Sequence, residues 1–89
     1  MREIIIFGSE VRSRLDIHEC ISEALNFPSW YGNNLDALYD CLSEISYYVL
    51  IRIVGKDIID QRLDGYGTRL ITVLTAVSME KPNIEFIVE

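Results

Sequence analysis

Tyr47-Tyr48-Val49-Leu50-Ile51-Arg52-Ile53-Val54, stopped by Gly55, is the stretch that decides the fold. It is a nearly unbroken apolar, β-branched run with Arg52 as its one charge, the pattern of a strand buried on both faces. Working outward, Ile4-Ile5-Ile6-Phe7, stopped by Gly8, is a second run of the same kind toward the N-terminus. Asn83 to Val88, with Ile84, Phe86 and Ile87, is a third. Long helical stretches separate the three, so the strands must be joined by crossovers rather than hairpins. The predicted architecture is α/β, a small three-stranded parallel sheet with helices packed on it. A chain of 89 residues has room for one core, so residues 1–89 are read as one domain.

The segments between the strands carry helical periodicity. Ser13 is the expected N-cap, with Asp16 three residues on. Ile17, Cys20, Ile21, Ala24 and Leu25 then recur at one helical face, and the helix must end before Pro28. A second helix is predicted from Asn34 to about Ile45. A short helical turn is expected in Asp57 to Leu63. The last helix is predicted over Thr68 to Met79, burying Leu70, Val73, Leu74 and Val77.

The formal net charge is −6, from 14 acids against 8 bases. That balance argues against direct nucleic-acid binding, which needs lysine and arginine to displace counterions from phosphates. It suits solubility or a partner that is itself basic. Cys20 and Cys41 are the only cysteines and sit inside apolar patterns, which points to buried, reduced thiols rather than a disulfide framework. Met1-Arg2-Glu3 followed by Ile4 to Phe7 is too short an apolar run for a signal peptide, and no segment approaches the ~20 apolar residues of a membrane span. The expectation is a soluble, cytoplasmic protein with no membrane contact.

Residues 28 to 45 carry the chemistry. At ~100° per residue on a helical wheel, Leu35, Leu38, Cys41, Leu42 and Ile45 fall on one side as a core stripe. Asp36, Asp40 and Ser43 fall on the opposite side, with Tyr39 on their flank. Ahead of this helix stands a loop with Trp30 and Tyr31, closed by Gly32, where a positive φ is expected. Asn33 or Asn34 is the expected cap. Asp36 suits the first turn of a helix, but Asp40 lies too far along for the helix dipole to explain it. Two carboxylates a turn apart with aromatic rings beside them are either a solvated acidic face or a binding surface. An acid–base enzyme would need a cleft to raise one carboxyl's pKa and a further catalytic group, and the pattern offers neither. Two carboxylates alone also make a weak divalent-metal site. No catalytic residue, metal or cofactor is assigned.

Trp30-Tyr31-Gly32-Asn33-Asn34-Leu35-Asp36-Ala37-Leu38-Tyr39-Asp40-Cys41-Leu42 closely resembles the signature of the barstar family, intracellular inhibitors of extracellular ribonucleases such as barnase. A weaker likeness runs over the whole chain, in the opening strand, the helix holding His18 and the closing strand. The resemblance implies the barstar-like fold and a non-enzymatic inhibitor, monomeric when free, that plugs a basic secreted ribonuclease with an acidic helix. Asp40 would then stand in for a substrate phosphate among the nuclease's arginines and catalytic histidine, and Asp36 would pair with a base at the cleft edge. Trp30 would pack on that histidine, where tyrosine is more familiar, and Tyr39 replaces a tryptophan. Tyr31 belongs to the same implied binding face, and Gly32, Asn34 and Ser43 would supply hydrogen bonds at the rim. Two positions depart from the pattern: Ala76 stands where the family's type member has a further acid, and Ile45 replaces an aromatic at the edge of the face. The resemblance fixes the mode of binding better than the target, so an immunity or adaptor protein for another basic protein or toxin stays open.

Outside this stretch the bland readings prevail. His18 is a structural or surface histidine rather than a catalytic one. Tyr47 and Tyr48 are packing residues at the start of a strand. Asp57, Asp60 and Asp64 form a solvated helix face.

Overall fold

β-branched residues extend the chain in the three places their pattern marks. In a computed structural model, which describes residues 2–89, the strands are β1 (Arg2–Phe7), β2 (Val49–Val54) and β3 (Ile84–Val88). Between them come α1 (Arg14–Leu25), α2 (Leu35–Ser43), α3 (Lys56–Arg62) and α4 (Tyr66–Glu80), with a 3-10 turn at Gly8–Glu10. The sheet order is β1-β2-β3, all parallel, so β2 is central. Both crossovers therefore step in the same direction, and the right-handed rule for parallel connections sends all the helices across one face.

That arrangement corrects one sequence expectation. The strands are buried on one face and not on both. Ile4, Ile6, Val49, Ile51, Ile53 and Ile84 point into the core. On the other face Ile5, Leu50 and Val54 are half-buried, while Phe7 and Ile87 are exposed. Three strands cannot feed two helical layers when every crossover turns the same way, so the continuous apolar runs overstate the burial. Tyr47 and Tyr48, expected to pack, are 40 % exposed each and lie just before β2.

The strand-ending glycines have a steric cause. Phe7 pairs with Val54, so Gly8 and Gly55 leave the sheet side by side. A Cβ on Gly8 would stand 2.3 Å from the Gly55 carbonyl oxygen, which no side chain tolerates. Gly55 itself has φ +81°, a left-handed conformation that favours glycine.

The helices begin where their caps allow. Ser13 and Asp16 form a capping box on α1: the Asp16 amide donates to Ser13 Oγ at 3.3 Å, and Asp16 Oδ2 accepts from the Ser13 amide at 3.2 Å. Asn26, in the left-handed region at φ 55°, closes α1 before Pro28. α4 starts two residues earlier than its periodicity predicts, at Tyr66, and buries Leu70, Leu74 and Val77, with Val73 half-buried. Asp60 is not a merely solvated acid. It pairs with Lys56 at 2.8 Å and accepts from the Thr68 amide and hydroxyl, which ties α3 to α4 and holds its carboxyl down to about 2. Cys41 is buried and Cys20 half-buried, and both thiols are free. Among the described residues no helix is long and apolar enough to cross a membrane.

Candidate functional site

Nine residues make α2, too few to be stable alone, since isolated helices shorter than roughly 12–15 residues are marginal in water. Packing holds it. Leu38 and Leu42 are fully buried and Cys41 nearly so, and each buried leucine contributes roughly 1.5–3 kcal/mol. Repulsion between two aspartates at i, i+4 costs only a few tenths of a kcal/mol. The core side of the helix therefore carries its acidic side easily. Of the predicted stripe, Leu35 is only half-buried and Ile45 lies in the core just past the helix. Ile45 thus has no place at the edge of an exposed face.

The helix start is set by Asn34 and not Asn33. Asn34 Oδ1 accepts from the Ala37 amide at 2.8 Å, and its Nδ2 donates to the Gly32 carbonyl at 3.3 Å. Gly32 does not need a positive φ; Asn33 takes the left-handed conformation instead, at φ 53°. A side chain at position 32 would crowd the cap instead, because a Cβ there would sit 3.0 Å from Asn34 Nδ2, which would have to shift.

The loop residues separate into one that faces out and one that faces in. Trp30 is 76 % exposed, although its indole carries a large apolar surface. Tyr31, expected beside it on the binding face, is instead buried at 7 % exposure. Its ring packs on Phe27, centroid to centroid 4.9 Å, and its hydroxyl lies 2.6 Å from His18 Nδ1. On the far side, His18 Nε2 lies 2.7 Å from the Tyr66 hydroxyl. This Tyr31–His18–Tyr66 chain anchors the loop to α1 and α4. Burial holds the His18 pKa below its ordinary value and pushes that of Tyr31 up.

Asp36 and Asp40 are both exposed on the outer side of α2, about 6 Å apart along a 1.5 Å rise per residue. They form a ridge between two concavities. On one side a groove of about 270 Å³ runs between Trp30 and the helix, lined by Gly32, Ala37, Asp40, Cys41 and Glu44. On the other, Asp36 faces a cleft of about 380 Å³ with Arg14, Tyr66 and Arg69. Tyr39 leans toward α4 and its hydroxyl donates to Glu80 Oε2 at 2.5 Å. The Ser43 hydroxyl donates back to the Tyr39 carbonyl at 2.7 Å, so its proton is already used and only its acceptor side faces out.

Sequence spacing thus brings together Trp30, Gly32, Asp36, Tyr39 and Asp40 at one surface, with Asn34 and Ser43 supporting it and Tyr31 beneath it. It misses Glu44 and Glu80, two further acids at the edges. Glu44 lies one helical turn beyond Asp40 and could be found from the wheel. Glu80 lies 41 residues from Tyr39, and only the packing of α4 on α2 reveals it. The arrangement offers acceptors on a rigid support and a groove wide enough for a side chain. It suits binding a basic surface, with arginine able to grip a carboxylate in bidentate geometry.

Comparison with known proteins agrees in kind. The family model described as Barstar (barnase inhibitor) matches residues 1–89. A Bacillus subtilis (strain 168) protein named "Putative ribonuclease inhibitor YrdF" is 46 % identical over 43 residues, 48 % of this chain and 47 % of that protein. The matched stretch spans about half the length of that curated relative.

Proposed function

This chain belongs to the barstar family, and on that premise we propose that it inhibits a basic, barnase-like secreted ribonuclease by docking α2 and the Trp30 loop into the nuclease's active-site cleft. The observation that carries the reading is the exposed pair Asp36 and Asp40 beside the groove under Trp30. A ribonuclease cleft gathers arginine, lysine and histidine around a phosphodiester, and a carboxylate fixed on a helix offers two acceptors to that set with little entropy left to lose. Asp40 lines the groove and takes the place of the phosphate. Asp36, one turn closer to the helix start, meets a base at the cleft edge. Trp30 has its indole free to cover an imidazole or guanidinium entering the groove. The chain itself turns nothing over. It acts in the cytoplasm, where a cell that makes the nuclease must be protected before export.

The reading is tested by adding the purified chain to the ribonuclease secreted into the source organism's culture medium, with barnase assayed beside it. RNA hydrolysis should fall to background at a one-to-one ratio with at least one of the two, and Asp40→Ala should restore it. Undiminished hydrolysis in both would sink the proposal and leave a different basic protein or toxin as the target.

A further inference from the structure

Arg14 and Arg69 come from different helices, α1 and α4, yet both guanidinium groups lie over the ring of Tyr66, at 4.7 and 5.4 Å from its centroid. Their carbons can therefore be no further apart than about 10 Å, the sum of the two distances. The ring is a fixed platform, since Tyr66 is 4 % exposed and its hydroxyl is held by His18. Neither arginine is neutralised by its own chain: the ion pairs among the described residues are Arg52–Glu89 and Lys56–Asp60. Among the described residues the Arg69 guanidinium donates only to the Asp64 carbonyl, at 3.3 Å. In a chain with 14 acids and 8 bases, two unpaired cations converging on one ring are not a mean effect of composition. Both line the same open cleft as Asp36.

We propose that Arg14 and Arg69 form a cationic seat for a carboxylate of the bound ribonuclease, and that they select nucleases carrying an acid at the edge of their basic cleft. This rests on the ribonuclease-inhibitor reading and deepens it. The seat abuts Asp36, so the partner must present an acid next to the base that Asp36 meets. A protein surface readily carries such an alternation. A polyanion does not, because a phosphate chain reaching the arginines would run against Asp36 and a net charge of −6. Alternating signs also reject wrong partners, since a nuclease with a base in that position would leave two guanidiniums facing a like charge.

The proposal makes a prediction of opposite sign to net-charge steering. Changing Arg14→Gln together with Arg69→Gln removes two positive charges and takes the formal net charge from −6 to −8. If only overall attraction to a basic cleft mattered, the variant would associate faster and bind tighter. With the seat filled by a carboxylate, it should bind at least about tenfold more weakly, the loss of charge-assisted hydrogen bonds. The measurement is inhibition of the secreted ribonuclease of the source organism, purified by its RNA-hydrolysing activity alone. Equal or tighter inhibition by the Gln pair overturns the proposal. Arg14→Lys with Arg69→Lys loses the flat stacking on Tyr66 but keeps the charge, so its inhibition should stay nearer that of the parent than that of the Gln pair. Inhibition as weak as that of the Gln pair would assign the effect to packing, and overturn it too. A fluorescein-labelled RNA decamer should not bind the parent chain. Binding that the Gln pair abolishes would assign the seat to phosphate instead. Failure of the parent chain to inhibit at all would sink the ribonuclease reading itself, an outcome distinct from parent and Gln pair inhibiting alike.

Discussion

His18 is fully buried with a tyrosine hydroxyl on each ring nitrogen, at 2.6 and 2.7 Å. A neutral imidazole has one donor and one acceptor, so one tyrosine gives a proton to the ring and the other receives one. Protonation would turn both nitrogens into donors and place a charge where no water reaches it. The direction of the pKa shift follows: burial lowers it from 6.5. The unfolded chain then takes up a proton as pH falls below 6.5 while the folded chain does not, so stability is full above 6.5 and declines on acidification toward the lowered folded value. We expect the unfolding free energy from urea titrations to fall as the pH drops below 6.5, by up to about 1.4 kcal/mol per pH unit. In His18→Gln the slope in this window should vanish; an unchanged slope would move the effect to another group. Tyr31→Phe tests the same chain from its other end. It leaves one ring nitrogen without a partner and should cost about 1–3 kcal/mol in urea unfolding, while a cost near zero would show that the hydroxyl is dispensable. The sequence leaves His18 as a structural or surface histidine and cannot name its partners, because Tyr31 and Tyr66 lie 13 and 48 residues away and only folding brings them together.

α2 is where sequence and structure agree most, since a 3.6-residue period writes both of its faces in one line of residues. Leu38, Cys41 and Leu42 go in and Asp36 and Asp40 go out as the wheel predicts. What the wheel cannot supply is the loop before it. Trp30 and Tyr31 are adjacent aromatics of similar character, and the second turns inward onto Phe27 and His18, contacts that the sequence does not display. Because Asp40 points to solvent, Asp40→Ala should leave the melting temperature within about 4 °C, in keeping with surface changes of about ±0.5 kcal/mol. Its binding to a ribonuclease should weaken by about 3–5 kcal/mol, the cost of leaving the partner's cation buried and unpaired. Calorimetry showing parent-like affinity would remove Asp40 from the centre of the site. α4 supports a companion experiment. Ala76 is exposed and stands one turn before Glu80, which reaches Tyr39 on α2, so positions 76 and 80 share the stripe of α4 nearest the ridge. Ala76→Glu should therefore fold normally and quicken association with any nuclease that carries a base opposite it. A sharp drop in melting temperature would mean that position 76 is packed rather than exposed.

At the scale of the whole molecule, the charges divide between two sides that the sequence does not separate. Parallel order puts every helix on one face of the sheet, so Asp36, Asp40, Glu44 and Glu80 gather on the helical side. Glu3 and Glu85 stand on the open sheet face, each registered with Leu50. The alternation of burial along β2 makes this visible, but the apolar runs alone conceal it, because Ile5, Leu50 and Val54 look as buried as their neighbours. The molecule measures 33 × 26 × 19 Å, so its thinnest dimension exceeds the Debye length of about 8 Å at 0.15 M salt and falls short of the 30 Å at about 0.01 M. An approaching nuclease should feel only the helical side at physiological salt, and the whole charge of −6 at low salt. Stopped-flow association rates separate the two regimes. Asp36→Asn with Asp40→Asn should slow association at both salt concentrations and flatten its salt dependence. Glu3→Gln with Glu85→Gln, an equal change in net charge, should slow it at about 0.01 M and leave it unchanged at about 0.15 M. Equal slowing by the two pairs at the higher salt would mean that net charge, and not the face presented by α2, governs the encounter.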